Sequence, residues 1–238
     1  IAALEGTEDA FATASGMAAV SGALTSMLKA GDHVVSARAL FGSCLYVLED
    51  VLSRFGVEVS FVGGTDLDAW KEAIRDNTRL VFCETVSNPC LEVIDLKAVS
   101  QLAHAKGARV VDNVFATPVF SKAKELGADV VIYSATKHID GQGRALGGVI
   151  LGSQDLIRKT VEPYMKHTGG AMSPFTAWML LKGLETLDLR VRSQSASAKF
   201  LANALEKTSQ VSRVLYPHLA SHAQKRKWKK AVPFCPLI

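Results

Sequence analysis

The sequence predicts an α/β fold in which helices cover a mostly parallel β-sheet. Short apolar runs typical of strands alternate with longer segments whose apolar residues recur with a helical period. At 238 residues, the chain is long enough for one large domain, or for a large domain and a small one. No apolar run approaches the ~18 residues of a membrane span, so we expect a soluble protein with no membrane partner.

Seven segments have the length and composition of strands. They are residues 10–14, 33–37, 57–62, 80–84, 109–112, 130–134 and 148–151. The intervening segments are expected to be helical. The clearest of them is 96–106, where Asp95 is a suitable N-cap and Gly107 would end the helix.

The strand-like pattern stops before residue 174, and residues 174–205 are mostly helical in period. We therefore predict a large domain over residues 1–187. Residues 188–238 would form a linking helix and the truncated start of a C-terminal domain. A basic tail at about 223–238 loses its periodicity, and no fold is predicted for it.

The net charge of +4 does not indicate a nucleic-acid partner. The tail holds five basic residues and no acidic one, and removing their charge from the total leaves −1. Four cysteines without a CxxC pair or zinc-type spacing indicate no metal site and fit a reducing cytosol. With no signal peptide or anchor visible from Ile1 onward, we expect a cytoplasmic protein.

Ligands of an open parallel sheet bind outside the carboxyl ends of its strands. Four such junctions carry polar residues, at 15–17, 84–89, 112–113 and 134–138. Residues 15–17 also begin a predicted helix over 16–29, and strand-to-helix turns of this kind bind anions.

Lys137 follows the apolar strand 130–134, where desolvation would lower its pKa and favour a nucleophilic amine. A single loop lysine is more often simply solvated. Its neighbours change this balance, because the hydroxyls of Ser134 and Thr136 and the backbone N–H groups of the Gly16-Met17 turn could together hold one phosphate.

Asp112 ends another apolar strand and has no obvious local partner in the sequence. A buried carboxylate requires a cation or hydrogen-bond donors. A protonated pyridine nitrogen would satisfy this requirement.

Taken together and in order, residues 15–19 (SGMAA), 84–89 (ETVSNP), 112–113 (DN) and 134–138 (SATKH) resemble the motifs of the Cys/Met-metabolism pyridoxal-phosphate (PLP) enzyme family. The resemblance covers roughly residues 1–222. It implies the PLP-dependent transferase fold type I with an incomplete C-terminal small domain. It also implies pyridoxal 5'-phosphate as the cofactor, an amino acid as the small-molecule substrate, and a homodimer or homotetramer.

The resemblance also implies roles for individual residues. Lys137 would hold the cofactor covalently and move protons, and Asp112 would keep its pyridine nitrogen protonated. Phe41 would stack on the ring. Asn88 would lie near the phenolic oxygen and the substrate carboxylate. The remaining implied cofactor-binding residues are Ser15, Gly16, Met17, Ser134 and Thr136, and the last four of these match phosphate-binding positions.

Three departures point to a subfamily. Phe41 and Val114 stand where the family often has hydroxylated residues, and the glycine-rich stretch 141–144 differs from that of the lyases. Together with residues 112–118, they resemble the O-succinylhomoserine sulfhydrylases, which implies γ-replacement on O-succinylhomoserine, or another O-acylhomoserine, with sulfide to give homocysteine in methionine biosynthesis. Cystathionine γ-lyase, cystathionine γ-synthase and methionine γ-lyase remain alternatives. Val86, where the family commonly has Pro, is a further departure.

A Rossmann dehydrogenase is disfavoured because the stretch 141–146 lacks the third glycine of GxGxxG. A catalytically impaired, truncated fragment is the second alternative, because the family's upstream Tyr-x-Arg segment and its C-terminal carboxylate-binding arginine are not found in this sequence.

Overall fold

The structure is a computed structural model that describes residues 1–224. The basic tail predicted at 223–238 therefore lies, except for its first two residues, outside the described part. The sequence folds into a seven-stranded sheet with the strand order β1-β7-β6-β5-β4-β2-β3. The strands are β1 Asp9–Thr13, β2 His33–Ala37, β3 Glu58–Val62, β4 Thr78–Cys83, β5 Arg109–Asn113, β6 Val130–Ser134 and β7 Gly148–Gly152.

The expectation of a mostly parallel sheet is confirmed. The pairs from β6 through β5, β4 and β2 to β3 are parallel, and only β7 runs antiparallel to its neighbours β6 and β1. Because two antiparallel pairings separate β1 from β6, these two strands point the same way. The carboxyl ends of β1, β2, β4, β5 and β6 therefore share one edge of the sheet.

Helices occupy the connections between strands, as the sequence predicts, except between β6 and β7, where residues 135–147 form no helix and the expectation is wrong. They are α1 Ala2–Glu5, α2 Gly16–Met27, α3 Gly42–Tyr46, α4 Leu52–Arg54, α5 Leu67–Ala73, α6 Leu96–Ala105, α7 Thr117–Phe120, α8 Gln154–Leu156, α9 Glu162–Thr168, α10 Pro174–Leu184 and α11 Leu187–Leu205. Two π-helical segments, Val47–Val51 and Ile157–Val161, join α3 to α4 and α8 to α9, and a 3₁₀ turn covers Ala123–Leu126.

The core lies on the sheet. All five residues of β2 and all five of β7 are buried, so both faces of these strands are covered, as expected for strands buried between helices. The main hydrophobic cluster extends as far as Val191 in α11. A second, small cluster joins Ala198 and Ala202 to Tyr216 and Leu219.

The predicted helix 96–106 is confirmed as α6, one residue shorter. The Asp95 carboxylate accepts a hydrogen bond from the Ala98 amide at 3.1 Å, and Gly107 has the positive φ of 74° that suits a residue after a helix end. Leu96, Val99 and Ala103 are buried, so the predicted apolar face packs inward. Within residues 1–224, no helix combines the length and the apolar character needed to cross a bilayer.

Replacing Asp95 with alanine should lower the free energy of unfolding by about 1 kcal/mol, because the first turn of α6 loses its side-chain acceptor. Urea denaturation followed by circular dichroism measures this. The matched control is Asp76→Ala, whose side chain is 95% exposed and pairs only with Lys106. The control should change stability by less than about 0.5 kcal/mol, and an equal loss in both variants would refute the capping role.

Candidate active site

A cleft with a cavity volume of about 260 Å³ opens at the shared carboxyl edge of the sheet. Eight of the nine site residues predicted from the sequence line it, and the ninth, Asp112, is fully buried at the end of β5. The eight lining residues are Ser15, Gly16, Met17, Phe41, Asn88, Ser134, Thr136 and Lys137. The topology thus brings together residues that are far apart in the sequence.

The N-terminus of α2 packs directly against the end of β6. A Cβ atom on Gly16 would lie 2.7 Å from the Ser134 hydroxyl oxygen, so only glycine permits this approach. Ser15 is the N-cap, and its hydroxyl accepts a hydrogen bond from the Ala18 amide at 3.1 Å. The amides of Gly16 and Met17 belong to the first helical turn, whose N–H groups have no acceptor within the helix and can bind an anion.

The Thr136 hydroxyl is already engaged with the backbone of Gly147. It accepts a hydrogen bond from the Gly147 amide at 3.1 Å and donates one to the Gly147 carbonyl at 3.3 Å. This pair of bonds joins the segment after β6 to the segment before β7. It holds the Thr136 side chain in place at the wall of the cleft.

Asp112 is a desolvated carboxylate with one unused oxygen. Its Oδ1 accepts a hydrogen bond from the Thr85 amide at 2.9 Å, whereas its Oδ2 is buried without a partner among the described residues. Burial, reinforced by the negative charges of Glu5 and Glu84, raises the pKa of Asp112 to about 8 despite the hydrogen bonds from Thr85. The role predicted for Asp112 in binding a cationic group stays a prediction.

Lys137 lies at the mouth of the cleft and is exposed to solvent. The prediction that the end of the apolar strand desolvates its amine is therefore wrong for this chain. The strand before it is buried, but β6 ends at Ser134 and the chain turns outward, with the Lys137 amide bonded to the Ser134 carbonyl at 3.2 Å. Lys137 therefore lines the cleft and is not part of the core.

The loop after Lys137 is fixed by two charged side chains that sequence reasoning did not single out. The fully buried carboxylate of Asp140 accepts hydrogen bonds from the amides of Gln142 and Arg144 and from the Arg144 guanidinium. The Arg190 guanidinium, on α11, donates to the carbonyl of His138 at 2.8 Å. These hydrogen bonds hold the loop after Lys137 in place and so support the lysine.

Glu84 is a third such residue: the sequence places it at the start of the polar junction 84–89 but predicts no individual role for it. Its carboxylate lines the cleft and accepts hydrogen bonds from the amides of Phe41 and Asn88 and from the side chain of Asn113. Burial raises the pKa of Glu84, and the hydrogen bonds from these donors act in the opposite direction. A polar residue directly after a buried strand is the signal that could have identified it.

Phe41 and Asn88 both donate hydrogen bonds from their backbone amides to this carboxylate. Phe41 directly precedes α3 and is 42% exposed, while Asn88 lies in the loop after β4. Val86 is fully buried in the same loop, and the Thr85–Val86 and Asn88–Pro89 peptide bonds are both cis.

His138 lines the inner wall of the cleft. Its ring packs edge-on against Phe115, with the ring centroids 5.3 Å apart, and burial lowers its pKa, which favours the neutral imidazole. Residues 1–224 contain no group of three His, Cys, Asp or Glu side chains placed to bind a metal ion.

Comparison with known proteins identifies the family. A sequence profile of the Cys/Met metabolism PLP-dependent enzymes matches residues 1–235, further along the chain than the limit near residue 222 that the motifs suggested. An O-succinylhomoserine sulfhydrylase of Mycobacterium tuberculosis is 54% identical over 93% of this chain and 55% of its own length. A second, from Pseudomonas aeruginosa, is 48% identical over 94% and 56%, respectively.

An L-methionine gamma-lyase of Fusobacterium nucleatum subsp. polymorphum is 41% identical over 93% of this chain and 57% of its own length. The chain thus spans little more than half the length of these relatives. The profile nevertheless matches nearly all of the chain, and the cleft lies where the carboxyl ends of the parallel strands meet. The chain belongs to the family of Cys/Met metabolism PLP-dependent enzymes.

Proposed function

We propose that the protein catalyses a PLP-dependent γ-replacement in which O-succinylhomoserine, or another O-acylhomoserine, reacts with sulfide to give homocysteine and the free acid. This reaction would serve methionine biosynthesis. The observation that carries the proposal is the Oδ2 atom of Asp112, which is fully buried, has no partner among the described residues, and belongs to a carboxyl group whose pKa is raised to about 8.

A cationic N–H donor is the group that this oxygen lacks. A protonated pyridine nitrogen would supply both the hydrogen bond and the positive charge, and so stabilise the ionised form of Asp112. None of the ion pairs in residues 1–224 involves Asp112. The ring nitrogen of PLP fits this position chemically.

The other end of the cleft suits the phosphate of the cofactor. The amides of Gly16 and Met17 at the start of α2 and the hydroxyl of Ser134 lie together because Gly16 has no side chain. An anion at this helix N-terminus gains from both the unpaired N–H groups and the helix dipole. Thr136 would contribute only after exchanging its bond to the Gly147 carbonyl, while the Ser15 hydroxyl already caps the helix.

Lys137 would hold the cofactor covalently through Nζ at the mouth of the cleft. When bound, PLP supplies an electron sink that stabilises a carbanion at the substrate. The Nζ atom of Lys137 would then take a proton from the substrate carbon atoms and return it, as a general base and acid. Phe41 would cover one face of the ring, and Asn88 would orient the substrate carboxylate.

The choice of substrate rests on the relatives. Identity is higher to the two O-succinylhomoserine sulfhydrylases than to the L-methionine gamma-lyase, which supports γ-replacement over elimination. Cystathionine γ-lyase or γ-synthase and methionine γ-lyase activities are the alternatives within the family, and a catalytically impaired fragment is the second alternative.

We further propose that residues 1–187 form the PLP-binding large domain and that residues 188–238 begin a second domain. The small cluster of Ala198, Ala202, Tyr216 and Leu219, which is separate from the main core, supports a second domain after residue 187. A homodimer or homotetramer in the cytoplasm is part of the same proposal, on the strength of the family resemblance.

Addition of PLP followed by borohydride reduction should attach a pyridoxyl group to Lys137, because this exposed lysine lines the cleft. Peptide mapping by mass spectrometry measures the site of attachment. Lys137→Arg should abolish the label, whereas Lys159→Arg, at a lysine whose side chain is 73% exposed and distant in sequence, should leave it intact. Label scattered over surface lysines would contradict the proposed cofactor site.

Incubation of the PLP-loaded chain with O-succinylhomoserine and sulfide should yield homocysteine and succinate at least about tenfold faster than methionine yields methanethiol. Chromatography of the thiol products measures both rates. Faster methanethiol release would instead support the lyase alternative. Labelling of Lys137 without turnover of either substrate would support the impaired fragment.

Asp112→Asn should raise the free energy of unfolding of the cofactor-free chain by about 1–3 kcal/mol at pH 7. The pKa of Asp112 is raised from 3.8 to about 8 in the folded chain. Between these values the folded chain binds a proton that the unfolded chain lacks, so wild-type stability falls as the pH rises through this window. The neutral asparagine has no such dependence.

Urea denaturation at several pH values measures the difference between wild type and Asp112→Asn. The stabilisation should shrink as the pH falls below the unfolded-state pKa of 3.8, because the wild-type carboxyl then becomes neutral in both states. PLP binding should weaken in the variant, since its asparagine cannot offset a pyridinium charge. Equal stability of the two proteins at every pH would contradict the desolvation of Asp112.

A further inference from the structure

The Glu84 carboxylate connects three separate segments of the cleft. It stands directly after β4, is 2% exposed, and lies between the segment before α3, the loop after β4 and the end of β5. The Phe41 amide lies 3.1 Å from both carboxylate oxygens, the Asn88 amide 3.1 Å from Oε2, and the Asn113 side-chain nitrogen 3.1 Å from Oε1. One buried side chain therefore satisfies donors from all three segments.

Every one of these contacts requires an acceptor. The two backbone amides and the Asn113 NH₂ group can only donate, and the thiol of Cys44 also lies within hydrogen-bonding reach of the carboxylate. An ionised carboxylate, which accepts at both oxygens, matches this set of donors. A glutamine of the same shape would place an NH₂ group against at least one N–H donor and leave both without an acceptor.

The position of Phe41 depends on this carboxylate. Phe41 lies at the N-terminal end of α3, its side chain is half-exposed, and its amide hydrogen bonds go to Glu84. No cation pairs with Glu84 in the described part of the chain, so these donors are what hold the charge in a buried setting. These hydrogen bonds stabilise the Glu84 charge and also hold the loops that donate them in place.

We propose that Glu84 is a positioning residue, which fixes the Phe41 and Asn88 segments against each other over the cleft so that they can contact the cofactor and substrate. The effect of Glu84 on cofactor and substrate binding rests on the proposed function, since Phe41 and Asn88 are the residues expected to contact the cofactor ring and the substrate carboxylate. Glu84 itself acts through them.

The test compares wild type with Glu84→Gln and with the control Asp32→Asn. Asp32 is also a buried carboxylate, and it accepts a hydrogen bond from the Lys29 amide at 2.9 Å, but it lies at the amino end of β2, the opposite edge of the sheet. The first measurement is amide hydrogen exchange at Phe41 and Asn88 in the absence of cofactor. The second is the PLP dissociation constant, together with the visible circular dichroism of the bound cofactor.

In Glu84→Gln, the amide of Phe41 or of Asn88, or both, should exchange about tenfold faster or more. The PLP dissociation constant should rise at least about tenfold, and the dichroism band should change because the Phe41 ring no longer holds one orientation. Asp32→Asn should lower overall stability while leaving both amides and the cofactor spectrum unchanged. This pattern would separate positioning from a general loss of folding.

If the glutamine variant does not fold, Glu84→Asp takes its place. Its carboxylate is one carbon shorter and cannot reach all three segments, so both measurements should move in the same direction by a smaller factor. Unchanged exchange at Phe41 and Asn88 overturns the proposal, and so does faster exchange with unaltered PLP affinity and dichroism. A wild-type chain that binds no PLP counts against the proposed function, and the exchange measurement then decides alone whether Glu84 fixes the two segments.

Discussion

The buried carboxylate of Asp112 is the constraint on which the site depends. Fully desolvated, with one oxygen unpaired, it is held at the end of a central strand near two other buried acids, Glu5 and Glu84, and has no cation of its own among the described residues. Such an arrangement destabilises a folded chain unless a positive group arrives from outside. A bound cationic ligand would remove this destabilisation, so relief of the cost of burying the carboxylate contributes to the affinity for such a ligand.

The sheet topology places other polar residues at the same edge as Asp112, and together they form a site. Because β4, β5 and β6 are adjacent and parallel, the residues that follow them share one edge, and the reversal through β7 brings the start of α2 to the same place. The anion-binding helix terminus therefore lines the cleft, and the desolvated carboxylate is buried at the same edge of the sheet. Their chemical preferences are opposite, which favours a ligand that carries a phosphate at one end and a cationic nitrogen at the other.

Sequence reasoning reached much of this because strand ends are visible as abrupt changes from apolar to polar residues. It located Asp112, Lys137 and the turn at Gly16, since each stands directly after such a change. It could not anticipate the exposure of Lys137, which depends on the direction that the chain takes after β6. Nor could it find Arg190, which supports the lysine loop from a helix more than fifty residues away and leaves no local signal.

Two buried acids at the ends of neighbouring strands illustrate how a structural carboxylate differs from one reserved for a ligand. Glu84 has donors on both oxygens, all supplied by the chain, so its charge is used to hold segments together. Among the described residues, Asp112 finds a hydrogen-bond donor for one of its oxygens only. Burial disfavours the charged form of both carboxylates. The oxygen of Asp112 that lacks a hydrogen-bond donor is therefore not explained by folding. A cationic ligand would supply the missing donor, and we propose that the saturated carboxylate of Glu84 keeps the walls of the cleft in position for it.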